Sequence, residues 1–295
     1  MKDVWDRVPV IVKAVLMGAA VALAGSIPWA VLVTGNMRYL PAIPWAVPVM
    51  AIYLWIFWKY VRGAGWPRST AESRGALCRA HRVPANAWGP ALMAGALGLA
   101  ALVLLLKVMN RMVALPAQQN PDLSRLSAVS IAMMVIMSAL VAGVAEESAF
   151  RGYMQGPIER RYGPVTAILI TGTLFGFAHF THPEVSLILM PYYITVAAIY
   201  GSLAYLTNSI LPGLVLHTAG NILGTIDLLA RGKSEWQTPA APSPLIWVSG
   251  PDASFWLNLL GFLAVGGAAC AAYASLAKIC RQTSSGTAIP GPPIP

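Results

Sequence analysis

Long apolar runs, separated by short polar stretches, dominate this chain. They fall at 10–34, 43–61, 88–112, 127–157, 164–181, 185–207, 210–230 and 254–279, and most are almost wholly Ala, Leu, Val and Ile. Crossing a bilayer takes about 20 apolar residues. In lipid each run must satisfy its own backbone hydrogen bonds, so each is predicted to be a helix. The fold class that follows is all-α, a polytopic transmembrane helical bundle of about eight spans. The pattern divides the chain into four parts: N-terminal spans with a basic loop (1–126), a core bearing the polar motifs (127–230), an outer loop and last span (231–281), and a Ser/Gly/Pro tail (282–295) expected to be disordered. The stretch 232–254 reads as an outer loop that touches the membrane interface through Trp236 and Trp247.

Composition sharpens the membrane reading. Hydrophobic residues make up 57% of the chain and charged residues 11%, against about 25% charged in a typical soluble domain. The net charge of +9 would suggest nucleic acid in a soluble protein. Here the basic residues sit in short loops and no nucleic-acid motif accompanies them. With the N-terminus inside, thirteen of the 20 Lys and Arg residues fall on inner segments. Six (Arg38, Lys107, Arg111, Arg125, Arg231 and Lys233) fall outside, and Arg151 lies within a span. This bias predicts an integral membrane protein of the cell inner membrane with both termini cytoplasmic. Asp3 and Asp6 spoil a signal-peptide start, so the first run is expected to stay as a span. Cys78, Cys270 and Cys280 have no regular spacing and imply no disulfide or zinc-finger framework.

One span breaks the apolar pattern. It carries Glu146, Glu147 and Arg151, and each charge near mid-bilayer costs about 2.5–3.5 kcal/mol on insertion scales. On an α-helix Glu147 and Arg151 share a face in the favourable order. Glu146 points about 100° away, which leaves it as the carboxylate free for chemistry. Phe175 and His179 lie four apart on one face of the next run, and His217 and Asn221 do the same two runs later. His81 reads as a basic-loop residue and His182 as a loop residue before Pro183, neither with a role. The Gly-x-x-x-Gly pairs Gly152/Gly156, Gly172/Gly176 and Gly220/Gly224 fall on or beside the same three spans, which points to close helix packing around one site. Counted from the inner ends of their runs, His179 and His217 lie about 22 and 10 Å deep, so a shared site requires tilt, a kink or a shifted boundary.

The three motifs Glu146-Glu147-x-x-x-Arg151, Phe175-x-x-x-His179 and His217-x-x-x-Asn221, in this order over residues 127–230, resemble the CPBP (ABI) family, which includes the type II CAAX prenyl endopeptidases. That resemblance implies an intramembrane endopeptidase. Glu146 would activate water, and His179, His217 and Asn221 would share the catalytic pocket, with Glu147, Arg151 and Phe175 supporting. The expected mechanism has Glu146, helped by His179, deprotonate the water while His217 and Asn221 stabilise the oxyanion. No cofactor is expected on this reading. The substrate would be a membrane protein or lipidated peptide in the lipid bilayer. A zinc-dependent alternative uses Glu146, His179 and His217 as a His₂Glu set with one open position. A transporter, or a non-catalytic immunity-type factor, would also place charges inside the membrane.

Overall fold

A computed structural model of the chain describes residues 5, 7–114, 125–179, 187–231 and 244–286, with side chains omitted at 227–231 and 283–286. The described residues form helices and connecting turns, with no strand among them. The fold is a helical membrane bundle. In chain order the helices are α1 (Val10–Tyr39), α2 (Ala46–Val61), α3 (Ala71–Cys78), α4 (Ala85–Met112) and α5 (Ala128–Glu146). A π-helical segment (Glu147–Met154) follows α5 without a break. After it come α6 (Gln155–Tyr162), α7 (Pro164–Ala178), α8 (Met190–Thr207), α9 (Leu211–Arg231), the short α10 (Ile246–Ser249) and α11 (Ala253–Gly286).

All eight apolar runs are helical, but they are not equal. Five stretches are long and apolar enough to span: Val10–Tyr39, Ala85–Met112, Ala128–Tyr162, Leu187–Thr207 and Ala253–Gln282. Three apolar helices, Ala46–Val61, Pro164–Ala178 and Leu211–Ile226, are shorter. At 1.5 Å per residue the first two reach about 22–24 Å, less than a hydrocarbon core of about 30 Å, while the third is part of α9, which continues to Arg231. The bundle thus combines long spanning helices with shorter apolar ones. The last helix continues to Gly286, past the expected end at 279, while most of the tail expected to be disordered, with Trp236 and His182, lies outside the described residues.

Local signals set the helix ends. Ser127 caps α5 by accepting the Ser130 N–H at 3.1 Å, which satisfies a donor with no intrahelical partner. Pro164 opens α7 directly after Gly163, whose φ of +83° turns the chain away from α6. Fully buried Asn36 closes the α1–α2 turn: its amide donates to the Leu40 and Ile43 carbonyls and its oxygen accepts the Ala46 N–H, all at 2.9 Å.

The basic loop between α2 and α4 is not a plain loop. It folds into α3 and docks against the bundle. Arg79, in a left-handed conformation after α3, grips Glu159 on α6 with both terminal nitrogens at 3.2 Å and donates to the Ala204 carbonyl at 2.9 Å. Gln155 ties Glu159 to the Gly201 carbonyl of α8. Ser209, just before α9, donates to the His81 carbonyl at 2.7 Å. Apolar packing completes two cores, one among α4, α7 and α8 and one among α1, α2 and α5. The π segment lies between them, contributing Phe150 and Met154 to the first and Tyr153 to the second.

Candidate active site

The polar residues of α5 begin where its α-helical hydrogen bonding ends. Glu146 is the last residue of α5, and Glu147 through Met154 adopt π geometry. Every residue of that segment is buried. π segments inside longer helices are often found at functional sites. The widened turn keeps the Glu147–Arg151 pair: Arg151 Nη1 lies 3.4 Å from Glu147 Oε1, with both side chains at most 1% exposed.

The two neighbouring glutamates meet the same histidine. His217, on α9, places Nδ1 2.9 Å from Glu147 Oε1 and Nε2 3.7 Å from Glu146 Oε2. The expected Glu147–Arg151 pairing thus has a third member, His217. Glu147 serves Arg151 and His217 together, and Glu146 faces the far nitrogen of the same imidazole. The Glu146 carboxylate is 21% exposed, whereas Glu147 is fully buried. The two acids thus have unlike surroundings: one is enclosed and multiply paired, the other is open.

Tyr200 of α8 lies flat on His217, with ring centres 5.2 Å apart and planes within 7°. Sequence patterning gave no sign of this residue, since a tyrosine in an apolar run reads as packing. Its ring also faces the Arg151 guanidinium at 5.3 Å, and Phe175 faces it at 4.8 Å. The buried cation is thus walled by aromatic faces, which attract it electrostatically.

His179 joins through Phe175. It follows α7 directly, its Nδ1 pairs with the Phe175 carbonyl at 2.8 Å, and its ring packs on Phe175 at 4.4 Å and Tyr193 at 4.9 Å. The side chains form a continuous run from His179 through Phe175, Arg151, Glu147 and His217 to Glu146. Asn221 sits one turn beyond His217 on α9 and is half-buried, its carbonyl accepting the Thr225 hydroxyl at 2.7 Å.

The closest helix approaches here are not the Gly-x-x-x-Gly pairs. A Cβ on Gly143 would lie 2.2 Å from Thr218 Oγ1, and one on Gly213 2.8 Å from Glu147 Oε2. These two glycines set α9 against α5 and the π segment. The predicted pairs act elsewhere. Gly172 and Gly176 let α7 meet α8, and Gly152 receives the α3 end, while Gly220 makes no tight approach.

Several buried polar atoms at the centre lack a protein hydrogen-bond partner among the described residues: Glu147 Oε2, Ser148 Oγ, Thr218 Oγ1 and both terminal nitrogens of Arg151. Buried polar groups in native proteins are usually hydrogen-bonded, often to internal water. Among the described residues no three His, Cys, Asp or Glu side chains are grouped so as to hold a metal ion.

Residues 128–223 match the family described as type II CAAX prenyl endopeptidase Rce1-like. The matched stretch holds α5, the π segment, α6, α7, α8 and the first half of α9, and so all the residues above. No curated protein and no solved structure matches the chain.

Proposed function

We propose, from the match of residues 128–223 to the Rce1-like family, that the chain is an intramembrane peptidase in which Glu146 activates the attacking water. The observation that carries this reading is the single imidazole shared by an open and a buried glutamate. With its Nδ1–H given to Glu147, neutral His217 has its lone pair on Nε2, facing Glu146. A separation of 3.7 Å is too long for a direct hydrogen bond and suits two groups that address the same water.

Glu146 takes a proton from that water as its oxygen attacks the scissile carbonyl. The tetrahedral adduct collapses with cleavage of the C–N bond, and the proton passes to the leaving amine, with His217 as the relay. Glu147 fixes the imidazole and compensates its charge when it is doubly protonated, and Arg151 holds Glu147 in place. Asn221 supplies an amide donor to the oxyanion, a contribution of about 3 kcal/mol for one well-placed donor. His179, its Nδ1 engaged by the Phe175 carbonyl, packs on Phe175 and steadies the aromatic wall around Arg151. The buried atoms without protein partners support a site that holds water. No step is routed through zinc, because the residues of the His₂Glu set are not grouped as a metal site. The substrate is a membrane protein or lipidated peptide, reached from the bilayer. The charge bias of the loops supports an inner-membrane protein with cytoplasmic termini.

Cleavage of a membrane-tethered reporter by purified protein in vesicles tests the assignment. Glu146→Gln is expected to abolish turnover while its melting temperature stays within a few degrees of the parent. Turnover by that variant would end the glutamate-water reading. A chelator is expected to leave the rate unchanged, and a loss that added zinc restores would favour the metal alternative.

A further inference from the structure

A cavity lies against the N-terminal third, lined by residues outside the family match except for Tyr153. Its volume is about 780 Å³, within the range of about 300–1,000 Å³ seen for ligand pockets. Met17, Ala20, Val21 and Ala24 of α1 form one wall, and Ile56 and Phe57 of α2 another. Tyr153 of the π segment closes it, its hydroxyl bonded to the Val61 carbonyl at 2.8 Å.

One end of this apolar groove is basic. Lys59 lines it, with its ammonium 3.8 Å from the centre of the Trp55 ring. Among the described residues Lys59 has no ion-pair partner. Arg74 also lines this end and donates to the carbonyls of Tyr60, Gly65 and Pro67 and to the Thr70 hydroxyl. All four acceptors are neutral, so they hold the guanidinium in place without cancelling its charge. Residues 59–82 contain six basic side chains and one acid, Glu72. Trp66 stands at the same end, 84% exposed, as tryptophans do at the level of lipid headgroups.

We propose that this groove is a binding site for an anionic phospholipid. The acyl chains lie along α1 and α2, and the phosphate meets Lys59 in the positive field of Arg74. A zwitterionic lipid offers the same apolar contact but carries its own cation, so it gains less from this end. The occupant also rests on Tyr153, and hence on the segment that carries Glu147. The proposal stands on the groove alone and not on the protease reading.

Native mass spectrometry of the purified full chain, with phosphatidylglycerol or phosphatidylcholine added in equal amounts, tests it. One phosphatidylglycerol retained per chain is expected, at least tenfold in excess of phosphatidylcholine. Lys59→Glu is expected to cut that retention at least tenfold, Lys59→Arg to keep it, and Ala20→Phe to remove both lipids by filling the groove. If Lys59→Glu does not fold, Lys59→Gln makes the same comparison. Equal retention of the two lipids, or undiminished phosphatidylglycerol in the Lys59 and Ala20 variants, would overturn the proposal. Stoichiometric displacement of the lipid by a prenylated peptide would also overturn it and make the groove a substrate subsite.

Discussion

Cys78 shows how far a side chain's surroundings can silence its chemistry. It ends α3 with its side chain fully buried, and burial pushes the thiol pKa up to about 12. The thiolate is the reactive form, so Cys78 is expected to resist alkylation in the folded protein at pH 8 and to react only after denaturation. Peptide mapping after iodoacetamide treatment checks this. At the same scale, His217 owes its place to three neighbours that hold it from different sides. Glu147 fixes one nitrogen, Tyr200 fixes the ring plane, and Glu146 meets the other nitrogen. Tyr200→Phe keeps the stacked ring, so its cleavage rate is expected within about threefold of the parent. Tyr200→Ala frees the imidazole and is expected to lower the rate at least tenfold, by analogy with misplaced catalytic groups. Equal rates for the two variants would remove Tyr200 from its positioning role.

Among the elements, α9 and the π segment depend on each other through Gly213. A methyl there would sit 2.8 Å from Glu147 Oε2, forcing the carboxylate away from His217. Overpacking of this kind costs about 1–3 kcal/mol. Gly213→Ala is therefore expected to lower the melting temperature and reduce cleavage at least tenfold, both measured on one preparation. The start of α11 is anchored differently. Asp252 accepts the Phe255 N–H at 2.8 Å and pairs with Arg111 at the end of α4. These contacts, the Phe255 hydrogen bond first, hold its carboxyl below the usual range. A carboxyl with a depressed folded pKa stabilises the fold above its unfolded value of about 3.9, and the gain fades as pH falls through the folded pKa. Asp252→Asn is thus expected to melt below the parent at neutral pH, with the gap closing as the pH falls below about 4. Thermal scans across that range test the direction.

For the whole molecule, the lock between the α2–α4 connection and the bundle is the Arg79–Glu159 pair. Removing one member of a buried pair costs about 3–5 kcal/mol. Arg79 is 3% exposed, so Arg79→Ala is expected to fall near that range and to expose the loop to protease before the rest of the chain. The helical bundle was legible in the sequence because each long apolar run must be a helix in lipid, and all eight runs are. The docking of α3 was not legible, because its energy comes from Arg79, Ser209 and Gln155 reaching carbonyls far away in sequence. For the candidate site, i, i+4 spacing found Glu147–Arg151 and the Phe175–His179 contact. It did not find that His217 stands between Glu147 and Glu146, because that contact joins helices about 70 residues apart in the chain. Tyr200 escaped notice because stacking across helices leaves no periodic trace.

The π segment gives the helix that carries the two glutamates an unusual arithmetic. Its hydrogen bonds reach one residue further than those of an α-helix, so the stretch stores one residue more than an α ladder would hold. Were the same residues to close as an α ladder, everything on one side would swing by about 100° relative to the other. Glu146 and Glu147 could then keep His217 only if Arg151, Tyr153 and Gln155 gave up Phe175, Val61 and Gly201. Along this stretch the count of residues matters more than their bulk. One added residue would turn the two flanks by about 100°, so an insertion within the stretch should be more harmful than a conservative substitution at any position in it.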